Sequence, residues 1–205
     1  MKIETLPLGQ LQTNCYLVHH QNEGLIIDPS AEAAVIIGYL DKLEVQPKAI
    51  LLTHAHFDHI GALEEVRNHY NIPVYMHKAE SDWLSTPSLN GSSKFVGLEV
   101  KASDPDHFLQ EGTHTIGGFN FEVRESPGHS PGGLAFIFHE QEWILGGDSL
   151  FKESIGRTDL QGGSYEKLIE SIQKKFYTLP DSYSVFPGHG PRTTIGHEKK
   201  HNPFT

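Results

Sequence analysis

Three histidines and one aspartate fall within six positions in the stretch Leu51-Leu52-Thr53-His54-Ala55-His56-Phe57-Asp58-His59-Ile60-Gly61. They follow the apolar run Ala49–Leu52, which reads as a buried strand, and the residues after Gly61 read as a helix. A polar cluster where a strand hands over to a helix is the usual place for a site in an α/β fold. His54 and His56 lie two residues apart, so both can grip one metal ion from the same side of an extended segment. Asp58 and His59 follow once the chain has begun to turn and can point at a second position. The start of the next helix favours the carboxylate form of Asp58. Four polar side chains behind a buried strand are costly without a partner, and a cation supplies one. Two adjacent ions fit this spacing better than one.

Three more strand ends carry metal-type residues. Ser126-Pro127-Gly128-His129 and Phe186-Pro187-Gly188-His189 each place a histidine on a stiff Pro-Gly turn, where glycine leaves room for close backbone approach. Trp143-Ile144-Leu145-Gly146-Gly147-Asp148 ends an apolar strand in an aspartate. Alone, Asp148 reads as a turn residue; with the first cluster, His129, Asp148 and His189 complete what a two-metal site needs. The remaining histidines (His19, His20, His69, His77, His107, His114, His139, His197, His201) lack ligand spacing and read as structural or solvated.

The elements that must position these residues alternate in the first half. Ile3–Leu8, Asn14–His19 and Gly24–Asp28 read as strands, Ala31–Leu43 as a helix and Pro47–Leu52 as the buried strand. Ala62–His69 reads as a helix, Ile72–Met76 as a parallel strand and Glu80–Leu84 as a short helix. Between Thr86 and Asp106 the pattern dissolves into a long polar loop, either a lid beside the site or a plain surface excursion. From His107 onward the chain reads as short antiparallel strands, Phe108–Glu111, Thr113–Ile116, Phe119–Arg124, Leu134–His139 and Glu142–Leu145. An amphipathic helix over Tyr165–Leu179 and a last strand, Ser184–Phe186, follow. With no linker in view, 1–205 reads as one α/β domain of two packed sheets with helices outside.

The chain has 205 residues, 37% of them hydrophobic, enough for a proper core. A formal charge of −10 and the absence of a basic stripe argue against nucleic-acid binding. The single cysteine, Cys15, excludes an internal disulfide and a cysteine-based zinc cage. The N-terminus has no apolar leader and no run approaches a membrane span, so a cytoplasmic location is expected.

The set His54-x-His56-x-Asp58-His59, then His129, Asp148 and His189, resembles the metallo-β-lactamase superfamily over nearly the whole chain. The resemblance implies a four-layer αββα sandwich of two mixed sheets with outer helices. It implies that His54, His56 and His129 hold one metal, that Asp58, His59 and His189 hold the other, and that Asp148 bridges them. Nitrogen and oxygen donors without thiolate suit zinc, with iron or manganese as alternatives. Two such ions lower the pKa of a shared water and polarise a carbonyl, so a metal-bridging hydroxide would be the nucleophile and no serine elbow is needed. Asp58 could also orient that hydroxide. β-Lactamases of the main subgroup use a cysteine ligand, whereas Cys15 lies in an N-terminal strand. Pro7-Leu8-Gly9, Thr13-Asn14-Cys15-Tyr16, Gly156-Arg157-Thr158-Asp159 and Thr194-Ile195-Gly196 look like the short glyoxalase II-like branch. That branch implies a small-molecule acyl-thioester substrate such as S-lactoylglutathione, with Arg157 as an anion-binding residue or as a salt bridge to Asp159. Pro191 stands where that family has a tyrosine. Persulfide dioxygenases share the seven metal-type residues and the Gly-Arg-Thr-Asp segment. They imply the other chemistry, with one iron on His54, His129 and Asp148.

Overall fold

The computed structural model describes residues 1–95, 97 and 99–205. They form two compact units, Met1–Leu109 with 116–119, and Gln110–Thr115 with 120–205.

The first unit is built on a six-stranded mixed sheet in the order β1 to β6. β1 (Lys2–Leu8) and β2 (Thr13–His20) pair antiparallel through a turn in which Gly9 and Gln12 both take positive φ. β3 (Glu23–Ile27) runs antiparallel to β2 and parallel to β4 (Gln46–Leu51). The crossover between them contains α1 (Ala33–Leu43), whose Ile36 and Leu40 face the core. α2 (Leu63–Tyr70) leads from β4 to the parallel strand β5 (Val74–Met76). The register Ile27↔Leu51 makes β3 and β4 end side by side, which sets Asp28 next to the histidine stretch. Leu17, Ile26, Ile50, Leu52, Val66 and Val74 are buried together beneath these strand ends.

Two expectations for this unit change. The segment 86–106 carries two short helices, α3 (Pro87–Asn90) and α4 (Ser92–Phe95), although two of its positions, 96 and 98, lie outside the described residues. Asn90 holds it there, because its buried side-chain amide donates to Trp83 O and Val100 O and accepts from Ser92 N. β6 (His107–Phe108) pairs parallel with β5 rather than opening an antiparallel series, since β5 is the strand whose edge is left to satisfy.

The second unit holds a six-stranded mixed sheet in the order β14-β13-β10-β9-β8-β7. Its strands are β7 (Gly112–Ile116), β8 (Phe119–Glu125), β9 (Leu134–Phe138), β10 (Trp143–Gly147), β13 (Ser184–Pro187) and β14 (Thr193–Thr194). β8, β9 and β10 alternate in direction as expected, but β13 joins β10 in parallel, which makes this sheet mixed. β8, β10 and β13 therefore all point the same way. A small hairpin, β11 (Leu150–Phe151) with β12 (Ser154–Ile155), follows β10 and was not signalled by alternation, being only two residues a side. The amphipathic segment expected from Tyr165 begins as α5 (Tyr165–Ser171), capped by Ser164, and widens into a π-turn over Ile172–Phe176. Leu168, Ile172 and Phe176 pack on Ile137, Ile144 and Val185. Ser184–Pro187 is not the last element: β14 and α6 (Ile195–His201), capped by Thr194, follow it. Among the described residues no helix is long and apolar enough to cross a membrane.

Candidate metal centre

Each unit carries one set of the expected ligands at the carboxyl ends of its strands. In the first unit, His54, His56 and His59 are almost fully buried. The rings of His54 and His56 meet edge-on at 4.8 Å and those of His54 and His59 lie 4.1 Å apart. Asp58 Oδ2 sits 3.7 Å from His59 Nε2 and accepts a hydrogen bond from Thr13 Oγ1 at 2.8 Å. Trp83 backs the His56 ring at 5.5 Å.

Asp28, which the sequence reading passed over, organises this half. Its Oδ1 accepts from Thr53 N at 2.7 Å, and its Oδ2 accepts from Thr53 Oγ1 at 2.5 Å and from His59 Nδ1 at 2.9 Å. The Thr53 hydroxyl spends its proton on Asp28, so its lone pair is left to accept from His54 Nδ1 at 3.1 Å. One carboxylate thereby fixes two imidazoles in the Nδ1–H tautomer, directly for His59 and through Thr53 for His54. Both Nε2 atoms are left as bases, the form in which imidazole ligates a metal. Ligand atoms of Asp28, His54 and His59 lie within 4.8 Å of one another. The bonding of Asp28 marks it as the residue that orients these two imidazoles. Glu80, fully buried, accepts from Ala55 N at 2.7 Å and holds the loop between the first two histidines. No local signal points to Glu80 or Thr13. An aspartate ending a strand parallel to β4 is the signal that could have found Asp28.

In the second unit, His129 follows β8, Asp148 follows β10 and His189 follows β13. The shared strand direction brings the three to one end of the sheet, and Gly188 N donates to Gly147 O at 2.8 Å across the last two. His129 Nε2 and His189 Nε2 each lie 3.5 Å from the same atom, Asp148 Oδ2. That distance is long for a charge-assisted hydrogen bond. It matches the edge of a tetrahedral site, because two ligands each about 2.0–2.1 Å from zinc are about 3.4 Å apart. His129 Nδ1 donates to Arg157 O at 2.8 Å, and since a carbonyl can only accept, this ring too keeps Nε2 as a base. A Cβ on Gly156 would stand 1.8 Å from Asp148 O and 3.2 Å from His129 Nδ1, so only glycine fits beside this pair. At Gly128, φ is +136° and a Cβ would lie 2.2 Å from Leu168 N, which explains the Pro-Gly-His turn ahead of α5.

Arg157 contributes to the site through its backbone. Its guanidinium forms a two-pronged pair with Asp159, Nε to Oδ1 at 2.7 Å and Nη2 to Oδ2 at 2.8 Å, and both side chains are more than half exposed. This pair holds the guanidinium firmly protonated. Cys15 is fully buried in β2, and burial pushes its thiol well above the ordinary range, so it remains a neutral core residue.

A buried, oriented set of imidazole and carboxylate donors at strand ends has the chemistry of a hard-to-borderline divalent metal site. The metallo-β-lactamase superfamily profile matches residues 8–189. The chain belongs to the metallo-β-lactamase superfamily. Among its relatives, a probable metallo-hydrolase of Bacillus subtilis, YqgX, is 45% identical, covering all of this chain and 97% of that one. The hydroxyacylglutathione hydrolase GloC of Haemophilus influenzae is 39% identical, over all of this chain and 98% of its own. Two solved structures are similar. The BLEG-1 B3 metallo-β-lactamase has 47% identity and a TM-score of 0.96, covering 99% of each chain. TTHA1623 in a di-iron-bound form has 38% identity and a TM-score of 0.87, covering 98% of this chain and all of that one. The two mixed sheets with their helices match the αββα fold of the superfamily, and the chain is a metallo-hydrolase of that superfamily whose His/Asp clusters imply divalent metal ions.

Proposed function

We propose that this superfamily member is a binuclear metal-dependent thioester hydrolase. In this reading the two units act as one domain. His54, His56 and His129 would hold one ion, Asp58, His59 and His189 the other, and Asp148 both. The observation that carries the reading is the shared Asp148 Oδ2, 3.5 Å from His129 Nε2 and from His189 Nε2. A carboxylate oxygen flanked equally by two imidazole nitrogens is the arrangement of a bridging ligand, and a solved relative carries two irons. Zinc suits the donor set, as does iron or manganese. Two such ions, when bound, supply an acidified water as nucleophile and a Lewis acid for the carbonyl.

The protein's own residues have separable tasks. Asp28, through its three hydrogen bonds, keeps His59 and His54 in the ligating tautomer, and Arg157 O does the same for His129. Thr13 turns the Asp58 carboxylate by donating to its Oδ2. A thiolate is a good leaving group that needs little protonation as it departs, so a thioester asks less of the site than an amide would. The GloC relationship at 39% identity supports the same substrate class.

The test is element-resolved metal analysis on protein purified without chelator or metal-affinity tag, followed by a panel of acyl-thioesters with a β-lactam and a persulfide as comparison substrates. About two metals per chain with thioester turnover supports the proposal. One iron per chain, with oxygen uptake on the persulfide, would replace it with the dioxygenase reading. Turnover of the β-lactam alone would make the chain a lactamase.

A further inference from the structure

Two phenylalanine rings stand at the metal-binding loop. Phe57 lies between His56 and Asp58 in the chain and is only partly buried. Phe95, at the end of α4, is 45% exposed. The two rings stack nearly parallel, with centroids 6.3 Å apart and planes inclined by 21°. Lys94 Nζ lies 5.4 Å from the Phe95 centroid.

The placement of this pair is heavily specified. Phe57 N donates to Asn90 O at 3.0 Å, which ties the metal-binding loop to the segment that carries Phe95. Asn90 and Ser92, both fully buried, fix that segment: Asn90 reaches Trp83, Val100 and Ser92, and Ser92 Oγ accepts from Val100 N. At Gly91 φ is +88°, and a Cβ there would come within 3.3 Å of the Phe95 ring and 3.6 Å of the Phe57 ring. Buried hydrogen bonds and a left-handed glycine thus hold an apolar ring in a position where it stays in contact with water. Burying a ring is favourable, so a tether that keeps one half exposed points to something that covers it in use.

We infer that Phe57 and Phe95 form an apolar ledge that receives the acyl chain of the substrate. The inference rests on the thioester reading and deepens it. Phe57 is the residue between His56 and Asp58, two of the proposed ligands, so a substrate bound there would lie beside the loop that carries it. Of the two substituents of a thioester with a polar thiol carrier, the acyl group is the one that gains from leaving water for an aromatic surface. The substrate class is accordingly an apolar acyl thioester, with preference rising with chain length.

The experiment compares acetyl, butyryl, hexanoyl and octanoyl thioesters of one polar thiol on the metal-loaded wild type, Phe95→Ala and Phe95→Leu. Binding of the matching non-hydrolysable thioethers is followed by calorimetry on the same proteins. In the wild type, kcat/KM and thioether affinity should each rise about two- to fourfold per added methylene until the ledge is filled. Phe95→Ala should cut the octanoyl-to-acetyl ratio about tenfold, and Phe95→Leu should keep most of it. A wild type with no chain-length dependence, or a Phe95→Ala variant with the wild-type slope, overturns the ledge while leaving the thioesterase reading intact. No turnover of any thioester sinks the thioesterase reading; in that case a thioether affinity that still rises with chain length and falls in Phe95→Ala supports the ledge, and a flat one removes it. A slope that follows the alkyl length of the thiol instead of the acyl group also overturns the assignment.

Discussion

Replacing Asp28 with asparagine separates the orienting role of this residue from ligation. Asp28 is 2% exposed and accepts three hydrogen bonds, two of them on Oδ2. Asparagine has the same shape. Its oxygen can keep the bond from Thr53 N, but the amide NH2 then faces the Thr53 hydroxyl and the His59 Nδ1–H, donor against donor. The conflict is relieved when the Thr53 hydroxyl turns round and His59 moves its proton to Nε2. That shift takes away the lone pair with which His59 would ligate a metal in the proposed site, and the turned hydroxyl weakens the hold on His54. Two charge-assisted bonds worth roughly 1.5–3 kcal/mol each are exchanged for weaker ones, a net loss of about 2–4 kcal/mol. At roughly 2–4 °C per kcal/mol for a chain of this size, the metal-free protein should melt about 5–15 °C lower. Metal affinity should fall about 10–100-fold, the usual cost of removing the partner of a ligating histidine. Calorimetric melting in chelator and competition with a chromogenic chelator read the two effects independently. Thr53→Val, which cuts only the arm to His54, should give a smaller loss of affinity than Asp28→Asn. An Asp28→Asn protein with metal affinity within twofold of wild type would refute the tautomer argument.

Four further outcomes follow from the same geometry. Asp148→Asn should abolish thioester turnover while the circular dichroism spectrum stays that of the folded protein; full activity would remove Asp148 from the site. Gly156→Ala must push a methyl group to 1.8 Å from Asp148 O, so it should cost about 3 kcal/mol or more and release metal; a wild-type melting temperature would show that the hairpin after Asp148 yields freely. Arg157→Ala should leave the melting temperature nearly unchanged, because the pair with Asp159 is exposed. It should raise KM for an anionic thioester about tenfold with little effect on kcat, and an unchanged KM would restrict Arg157 to its tie with Asp159. Glu122 is partly desolvated, which by itself raises its carboxyl, yet bonds from Arg124 and His139 carry it below its ordinary value of 4.5. A depressed carboxyl stabilises the fold above its ordinary value and loses that contribution as pH falls through the lower folded value. Melting temperature followed from pH 7 to 3 should therefore drop less steeply for Glu122→Gln, and parallel curves would count against the assignment.

The sequence by itself determined the seven metal-type residues and the alternation of strand and helix that carries the first four. Those signals are local: His54, His56, Asp58 and His59 share one strand end, and each Pro-Gly-His turn announces itself within a few residues. Apart from β6, expected over Phe108–Glu111 and found over His107–Phe108, the longer strands of both sheets were legible from apolar runs, within the one or two residues by which such boundaries blur. Very short elements were not, because β11, β12 and β14 are two residues long and carry no period. The parallel pairing of β13 with β10 also escaped, since a strand's direction depends on where its crossover returns and leaves no mark on its own residues. Tertiary structure alone decided the partners. Asp28 lies 25 residues before Thr53 and 31 before His59, and it meets them because β3 and β4 end in register at Ile27 and Leu51. Arg157 shows the same limit from the other side: its side chain attracts attention as a charge, while its carbonyl, invisible in any sequence pattern, is what steadies His129. Ligands are chosen by side-chain chemistry, which a sequence displays. Their orientation depends on contacts between distant segments, which only the folded chain brings into being.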